Sequence, residues 1–294
     1  KPRAQILGNG HKAALCGLKA RQISPRFVKP FVKSQKNDYN DAEAVLEAGS
    51  RPTMRYVPTK NVSQQELQAL HRIRERQMRV RTALMNQIRG ILAEQGVTIA
   101  EGPSRLRDYL GKRLLVEAEL SITIRELVGE LAAELRELES RIAATEGRLR
   151  ARAKICPMVK RLLTIPGIGV LSATALAVAS ADPKEFKNGR HFAAWLGVVP
   201  RQVTTGGKPK LLGISKHGDR YVRTLLIHGA RSVVRHALTK DDPHSLWIRK
   251  LHAVKGTNLT AVAVANKNAR IAWTLMTSNA EYDPALPHAA FRIQ

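Results

Sequence analysis

Two long amphipathic segments in the middle of the chain constrain its fold more than any other feature. Over residues 62–95, apolar side chains recur at intervals of three, four or seven residues, and arginines crowd the remaining face. Over residues 114–154, Ile124, Leu131 and Leu138 follow one another at intervals of seven. Such spacing gathers apolar side chains into one stripe along an α-helix. The sequence therefore predicts two long helices.

The pattern leaves open how these two helices find partners. Residues 97–113 between them predict a loop or a short helix around Gly102 and Pro103, which would let the helices fold back on each other within one chain. The seven-residue spacing equally suits a coiled coil between two copies of the chain. An intrachain hairpin and a dimerising coiled coil are both compatible with the sequence.

The segments on either side of the two helices differ in predicted secondary structure. The first has α/β character, with a short strand predicted at 18–23 and a helix at 41–48. The last is predicted to be a compact, mainly helical domain, so the expected fold class is α/β plus mainly α. The predicted divisions are residues 1–60, 61–154 and 155–278, followed by an irregular tail at 279–294.

The charge of the chain indicates what it binds. Its 294 residues include 49 Lys and Arg against 24 Asp and Glu, which gives a formal net charge of +25. Such an excess favours a polyanion, because each cation that contacts a phosphate releases counterions. An anionic membrane is the other polyanion, but no run of about 20 apolar residues is present. We therefore expect nucleic acid and no membrane.

The cysteines add little to the functional prediction. The chain has two, Cys16 and Cys156, and neither has a second Cys or a His at the spacing of a zinc module. Two unpaired thiols are typical of a reducing compartment. We expect a cytoplasmic protein.

A short motif over residues 162–176 has the pattern of a helix-hairpin-helix. Gly167 and Gly169 would form a tight turn, and the backbone N–H groups that begin the next helix would contact DNA phosphates without reading sequence. The alternative is a plain turn between two helices in which the glycines serve as caps.

A basic stretch follows this motif. Between Lys184 and Arg235 lie 11 Lys or Arg residues and two acids, Glu185 and Asp219. A run of charge is usually a solvated surface, but this one includes a Gly-rich loop and the helix after it, so we expect phosphate contacts. The candidate ligands are Arg201, Lys208, Lys210, Lys216, Arg220 and Arg223, with Arg231 and Arg235 farther along the same helix.

Asp38 and Asp41 lie about one helical turn apart, so both carboxylates can face the same way. Two converging carboxylates can bind Mg²⁺ and neutralise the charge that develops on a reacting phosphate. The alternative is that these acids serve the helix that follows them, because carboxylates near a helix N-terminus are favoured by its dipole.

Thr204 and Thr205 offer hydroxyls directly before Gly206 and Gly207. A side-chain oxygen beside glycines and cations can attack a phosphodiester and form a covalent protein–DNA intermediate, while the neighbouring cations stabilise the pentacoordinate charge. The alternative is a loop that grips phosphate or has a purely structural role.

Several segments in order along nearly the whole chain resemble bacterial insertion-sequence transposases of the DEDD type, which are RuvC-like, bridge-RNA-guided recombinases. The likeness is to their branch with the Ile-Ser-Lys-x-Gly-Asp motif. The segments are Phe27-Val-Lys-Pro-Phe-Val-Lys33, Lys36-Asn-Asp-Tyr-Asn-Asp-Ala-Glu-Ala44, Ile165-Pro-Gly-Ile-Gly169, Phe192-Ala-Ala-Trp-Leu-Gly197, Gly206-Gly-Lys208 and Leu212-Gly-Ile-Ser-Lys-His-Gly-Asp-Arg-Tyr221.

This resemblance implies a RuvC-like, RNase H-type fold for the first domain, with four metal-binding acids. Asp38 and Asp41 match the last two of these acids, and the resemblance places the other two, an Asp and a Glu, upstream of Lys1. The middle helices match a coiled-coil dimerisation region, which implies a homo-oligomer, either a dimer or a tetramer. The last domain matches a second catalytic domain that has a serine nucleophile before a glycine.

In this chain Thr205 occupies the position of that serine, and Thr204 is the neighbouring alternative. The resemblance gives Ser215 a supporting or phosphate-contacting role. The implied reaction is site-specific recombination of donor and target DNA, guided by a non-coding bridge RNA and needing no ATP. Two other functions also suit the sequence: a non-catalytic DNA- or RNA-binding protein, and a metal-dependent junction nuclease.

Overall fold

The N-terminal part of the chain combines a minimal sheet with short helices. The computed structural model describes residues 21–33, 37–112, 114, 120–179, 181–278, 280 and 282–283. Strand β1 (Gln22–Ile23) pairs antiparallel with β2 (Tyr56–Val57). Between them lie α1 (Pro25–Val28), a 3-10 turn (Lys29–Phe31) and α2 (Asp38–Ser50).

These elements agree with the α/β character predicted for this part. The predicted strand at 18–23 is present at its C-terminal end, and residues 18–20 lie outside the described residues. The helix predicted at 41–48 begins earlier, because Asn37 caps it by accepting a hydrogen bond from Asn40 N at 2.7 Å. The expected RuvC-like domain also includes residues outside the described ones, so its type stays a prediction.

The two long helices are present: α3 (Val62–Glu94) and α5 (Ile122–Ile155), with α4 (Pro103–Lys112) between them. A reciprocal pair of hydrogen bonds between Asn61 and Gln64 caps α3. The helices pack against each other within the chain, around a core that includes Ile88, Leu92 and Leu135. This packing confirms the predicted helices as an intrachain pair. It does not bear on whether the pair also associates with a second copy.

The C-terminal part is mainly helical, as predicted, and adds one β-hairpin. Its large apolar core contains Phe192, Leu226 and Ile248. The last helix bends sharply at Gly256, where φ is 69°, so its two halves lie on either side of a kink. The elements are α6 (Pro157–Leu163), α7 (Val170–Ala179), a 3-10 turn (Pro183–Glu185), α8 (Gly189–Leu196), β3 (Pro200–Thr205), β4 (Lys208–Ile214), α9 (Arg220–Ala237) and α10 (Pro243–Thr277).

A buried histidine joins the long helices to this C-terminal part. His71 on α3 lies 3.0 Å from the hydroxyls of both Tyr221 and Thr174, with Nδ1 facing the former and Nε2 the latter. Because the Thr174 hydroxyl donates to Val170 O at 2.6 Å, it accepts from the histidine, and Tyr221 then donates to Nδ1. These bonds fit neutral imidazole, and burial lowers the pKa of His71 to about 4.

The end of α8 and the loop after β4 meet backbone to backbone. A Cβ added to Gly197, whose φ is 76°, would lie 2.1 Å from His217 O. A Cβ added to Gly218 would lie 2.1 Å from Trp195 O. The two glycines therefore permit an approach that no larger residue allows.

We predict that Gly197→Ala lowers the free energy of unfolding by about 3 kcal/mol or more, from left-handed backbone strain plus the clash with His217. Gly96→Ala is the matched control, because Gly96 has a φ of 81° and nothing within 4 Å of the added Cβ. It should cost about 1 kcal/mol. Chemical denaturation measures both; equal losses would contradict the role of the contact.

We also predict that His71 makes stability depend on pH. The unfolded histidine takes up a proton near pH 6.5 and the folded one near pH 4, so stability is lost as the pH falls through this window. Between pH 7 and pH 5 the expected loss from this residue is about 2 kcal/mol. Denaturation of His71→Gln at both pH values should show a pH dependence smaller by that amount. An unchanged dependence would exclude His71 as its source.

Candidate nucleic-acid interface and catalytic site

The segment predicted to be a Gly-rich loop is instead a β-hairpin, which corrects the sequence prediction. Strands β3 and β4 pair antiparallel, with Thr205 opposite Lys208 and an irregularity in register between Pro200 and Gln202. Gly206 and Gly207 have φ values of 57° and 75° and form a two-residue turn in the left-handed conformation that hairpins favour. Nearly every residue of the hairpin is exposed.

The register of the hairpin separates the two threonines. Because side chains alternate between the faces of a strand, Thr205 shares one face with Val203, and their opposite partners are Lys208 and Lys210. Thr204 lies on the other face, where its hydroxyl accepts a hydrogen bond from Gln202 Nε2 at 3.3 Å. Of the two hydroxyls, that of Thr205 is therefore the one placed beside two lysines.

The loop that follows β4 is fixed by the backbone. Ser215 N donates to Val199 O at 2.8 Å, and Lys216 N donates to Gly197 O at 3.2 Å. Lys216 adopts a φ of 55°, and Asp219 closes the loop by capping α9. The loop therefore presents Lys216 to solvent in a defined position.

Ser215 differs from the exposed cation beside it. Its hydroxyl oxygen is buried and has no hydrogen-bond partner among the described residues. This placement agrees better with the supporting role suggested for Ser215 than with direct phosphate contact.

The arginines at the start of α9 differ in exposure, which corrects the prediction for one of them. Arg220 is exposed, but Arg223 is buried, with 8% of its surface accessible. The guanidinium of Arg223 donates to Leu196 O at 3.2 Å and to His217 O at 2.9 Å. Arg223 thus joins the two chain segments that meet at Gly197, and these bonds replace the predicted phosphate contact.

The remaining predicted cations are accessible. Arg201, Lys208 and Lys210 extend along the hairpin, and all three are exposed. Farther along α9, Arg231 donates to Asn258 Oδ1 at 3.0 Å, while Arg235 is also exposed. Of the predicted cations, five exposed ones therefore lie on the hairpin, the loop after it and the first residue of α9: Arg201, Lys208, Lys210, Lys216 and Arg220.

The motif at 162–176 forms two helices, α6 and α7, joined by a short turn. Gly167 has a φ of 83°, and its carbonyl packs so closely on Gly229 of α9 that a Cβ there would lie 1.9 Å from it. Asn268 also donates to Pro166 O at 2.8 Å. Gly169 is exposed and has open space around it. The turn is therefore anchored through Gly167, and Gly169 is the glycine left accessible to a phosphate.

Asp38 and Asp41 both lie in the first turn of α2 and are exposed. In the described part of the chain neither carboxylate has an ion pair, whereas Glu43 pairs with Lys33 and Glu47 pairs with Arg51. Their position at the N-terminus of α2 also favours negative charge for structural reasons. Among the residues with described positions, no three His, Cys, Asp or Glu side chains gather as a metal cluster.

The structure also shows a contact that the sequence gave no signal for. Arg26 Nη1 in α1 lies 3.5 Å from His217 Nδ1 in the loop after β4, although 191 positions separate them. The N-terminal segment therefore lies beside the loop that carries Lys216. Within the described ranges, no helix combines the length and apolarity needed to cross a membrane.

Comparison with known proteins identifies the family of this chain. The model of the family described as "Transposase IS116/IS110/IS902 family" matches residues 159–245, which include the hairpin and α9. A probable family 20 transposase of Pseudomonas aeruginosa is 48% identical over 91% of this chain and 80% of its own length. The transposase for insertion sequence element IS1111A of Coxiella burnetii is 45% identical over 90% and 73%, respectively. The transposase for IS1328 of Yersinia enterocolitica is 39% identical over 89% and 78%. The chain therefore belongs to the IS116/IS110/IS902 family of transposases.

Proposed function

We propose that this chain is a site-specific DNA recombinase of the DEDD type, which cuts and rejoins DNA through the hydroxyl of Thr205. The observation that carries the proposal is the hairpin. It presents Thr205 at the tip of an exposed ribbon, on the same face as Lys208 and Lys210. A nucleophile that must reach the phosphorus of a large duplex needs this kind of exposure.

The proposed reaction is a pair of transesterifications. In the first, Thr205 Oγ forms a bond to the phosphorus, the bond to one strand oxygen breaks, and that oxygen takes up a proton as the threonine loses one. In the second, a hydroxyl of another strand attacks the same phosphorus and restores Thr205. The number of phosphodiester bonds is conserved, so the exchange needs no ATP. The two lysines would stabilise the negative charge of the pentacoordinate state.

Asp38 and Asp41 are proposed to hold Mg²⁺. Two exposed carboxylates one helical turn apart, without ion pairs in the described part of the chain, fit an ion that prefers oxygen ligands and retains sites for water and substrate phosphate. The ion would neutralise charge on the reacting phosphate. The resemblance implies an additional Asp and Glu as further ligands.

We further propose that the active form is a homo-oligomer guided by a bridge RNA. Ile73 and Val80 are seven residues apart on α3 and are 48% and 39% exposed, which supports association of the long helices with a second copy. The net charge of +25 supports the binding of more than one nucleic acid. In a dimer or tetramer, the carboxylates and Thr205 acting on one phosphate can come from different copies.

Two other functions make different predictions. A non-catalytic DNA- or RNA-binding protein would bind with strong salt dependence and would cleave nothing at any Mg²⁺ concentration. A metal-dependent junction nuclease would leave free ends and no covalent adduct. Trapping a protein–DNA adduct on a nicked suicide substrate distinguishes both from the recombinase.

We predict that Thr205→Ala abolishes this adduct and lowers strand exchange by about 10³-fold or more, because it removes the attacking oxygen. Thr205→Ser should retain the adduct. Thr204→Ala is the matched control, since its hydroxyl lies on the other face, and it should retain most of the activity. DNA affinity should stay within about twofold of the original in all three variants. Strand exchange by Thr205→Ala would reject the assignment.

We also predict that Asp38→Asn and Asp41→Asn each lower Mg²⁺-dependent strand exchange by about 10²-fold or more. DNA binding should be unchanged or slightly tighter, because each change removes a negative charge. Glu43→Gln on the same helix is the control and should leave activity unaltered. If all three variants behave alike in a magnesium titration, the two aspartates serve the helix and not the metal.

A further inference from the structure

Trp195 differs from the other two tryptophans of the chain in its exposure. Trp273 is buried and donates to Pro183 O at 2.9 Å. Trp247 is half-buried, with Lys267 Nζ 4.2 Å from its ring centre and His244 stacked beside it. Trp195 retains 36% of its surface in solvent. Trp195 is therefore the most exposed of the three tryptophans.

Two aromatic side chains pack against the indole of Trp195. It stacks on buried Phe192, with ring centres 5.7 Å apart and planes inclined by 22°. Phe186 packs against it at 5.2 Å. A ring packed in this way loses little conformational entropy when a second flat group stacks on it.

The helix end that carries Trp195 contacts a loop with an exposed cation, Lys216. The loop with Lys216 and His217 packs directly on the last turn of α8, as shown by the contact of Gly218 with Trp195 O. Arg26 reaches the same loop at His217. Asp219, two residues after His217, has its carboxylate engaged as the cap of α9, accepting from Tyr221 N at 2.8 Å. An exposed aromatic ring next to phosphate-binding cations is how proteins hold unpaired nucleotides.

We propose that Trp195 is a stacking site for an unpaired base of the DNA strand whose phosphate is presented to the β3–β4 hairpin. This inference rests on the proposed recombinase function. DNA is the favoured ligand because Trp195 and Thr205 lie on one continuous stretch of chain. Strand β3 begins five residues after Trp195, and its six residues extend to Thr205. Six residues of strand span about 17 Å. The stacked base would therefore lie a few nucleotides from the phosphate that Thr205 attacks.

Variants at Trp195 test the proposal by equilibrium binding to a single-stranded DNA that carries 2-aminopurine. Trp195→Leu should weaken this binding by about 5- to 150-fold and abolish the quenching of 2-aminopurine by the indole. Its affinity for duplex DNA should stay within about twofold of the original. Trp195→Phe, which keeps a flat ring on Phe192, should retain most of the affinity. Trp247→Phe is the matched control and should bind as the original chain does.

An abasic strand adds a test that does not depend on how well a variant folds. The original chain should bind a strand with one abasic position, placed at the stacked base, about as weakly as Trp195→Leu binds the intact strand. If the original chain binds the abasic strand as tightly as the intact strand, with normal DNA affinity, Trp195 is a packing residue. That result would overturn this inference alone. Dependence on Trp195 for RNA but not DNA would overturn the choice of DNA. Failure of the original chain to bind any nucleic acid would refute the proposed function itself.

Discussion

The contact between the end of α8 and the loop after β4 is the constraint on which the site depends. The hairpin is almost fully exposed, so it has no core of its own, and its base must be fixed from outside. Gly197 and Gly218 allow the two backbones to touch, and buried Arg223 bonds to carbonyls on both sides. The buried guanidinium thereby has acceptors for its charge, because it donates to one carbonyl of each segment.

The same contact decides which end of the hairpin is accessible. The hydrogen bonds that fix the hairpin to the neighbouring segments lie at its base, and the Thr205 end is exposed, where a large polyanion can reach it. The strand alternation then assigns Thr205 to the face with Lys208 and Lys210, and Thr204 to the face with Gln202. The anchored loop, which carries Lys216, packs against the last turn of α8, which carries Trp195. Thr205, the two lysines opposite its face, Lys216 and Arg220 thus lie on one short continuous segment.

The sequence predicted the elements whose signals are local. The periodicity over α3 and α5 predicted both helices, and the caps at Asn37 and Asn61 account for where helices begin. The hairpin was mistaken for a loop because its exposed strands lack the alternation of apolar and polar residues that identifies a half-buried strand. Likewise, the density of charge predicted phosphate contacts for both Arg220 and Arg223, although packing against α8 buries Arg223 and leaves Arg220 exposed.

The sequence by itself determined the helical framework, the excess of positive charge and the motifs by which the family is recognised. Composition needs no structure, and periodicity and short motifs depend only on residues that are close in sequence. Only the tertiary structure decided which cation is buried, which threonine faces the lysines and which tryptophan stays open. Those outcomes depend on contacts between distant positions, such as Gly197 with His217 and Arg26 with His217. A side chain's availability to a ligand is set by what packs against it, and no local pattern specifies that partner.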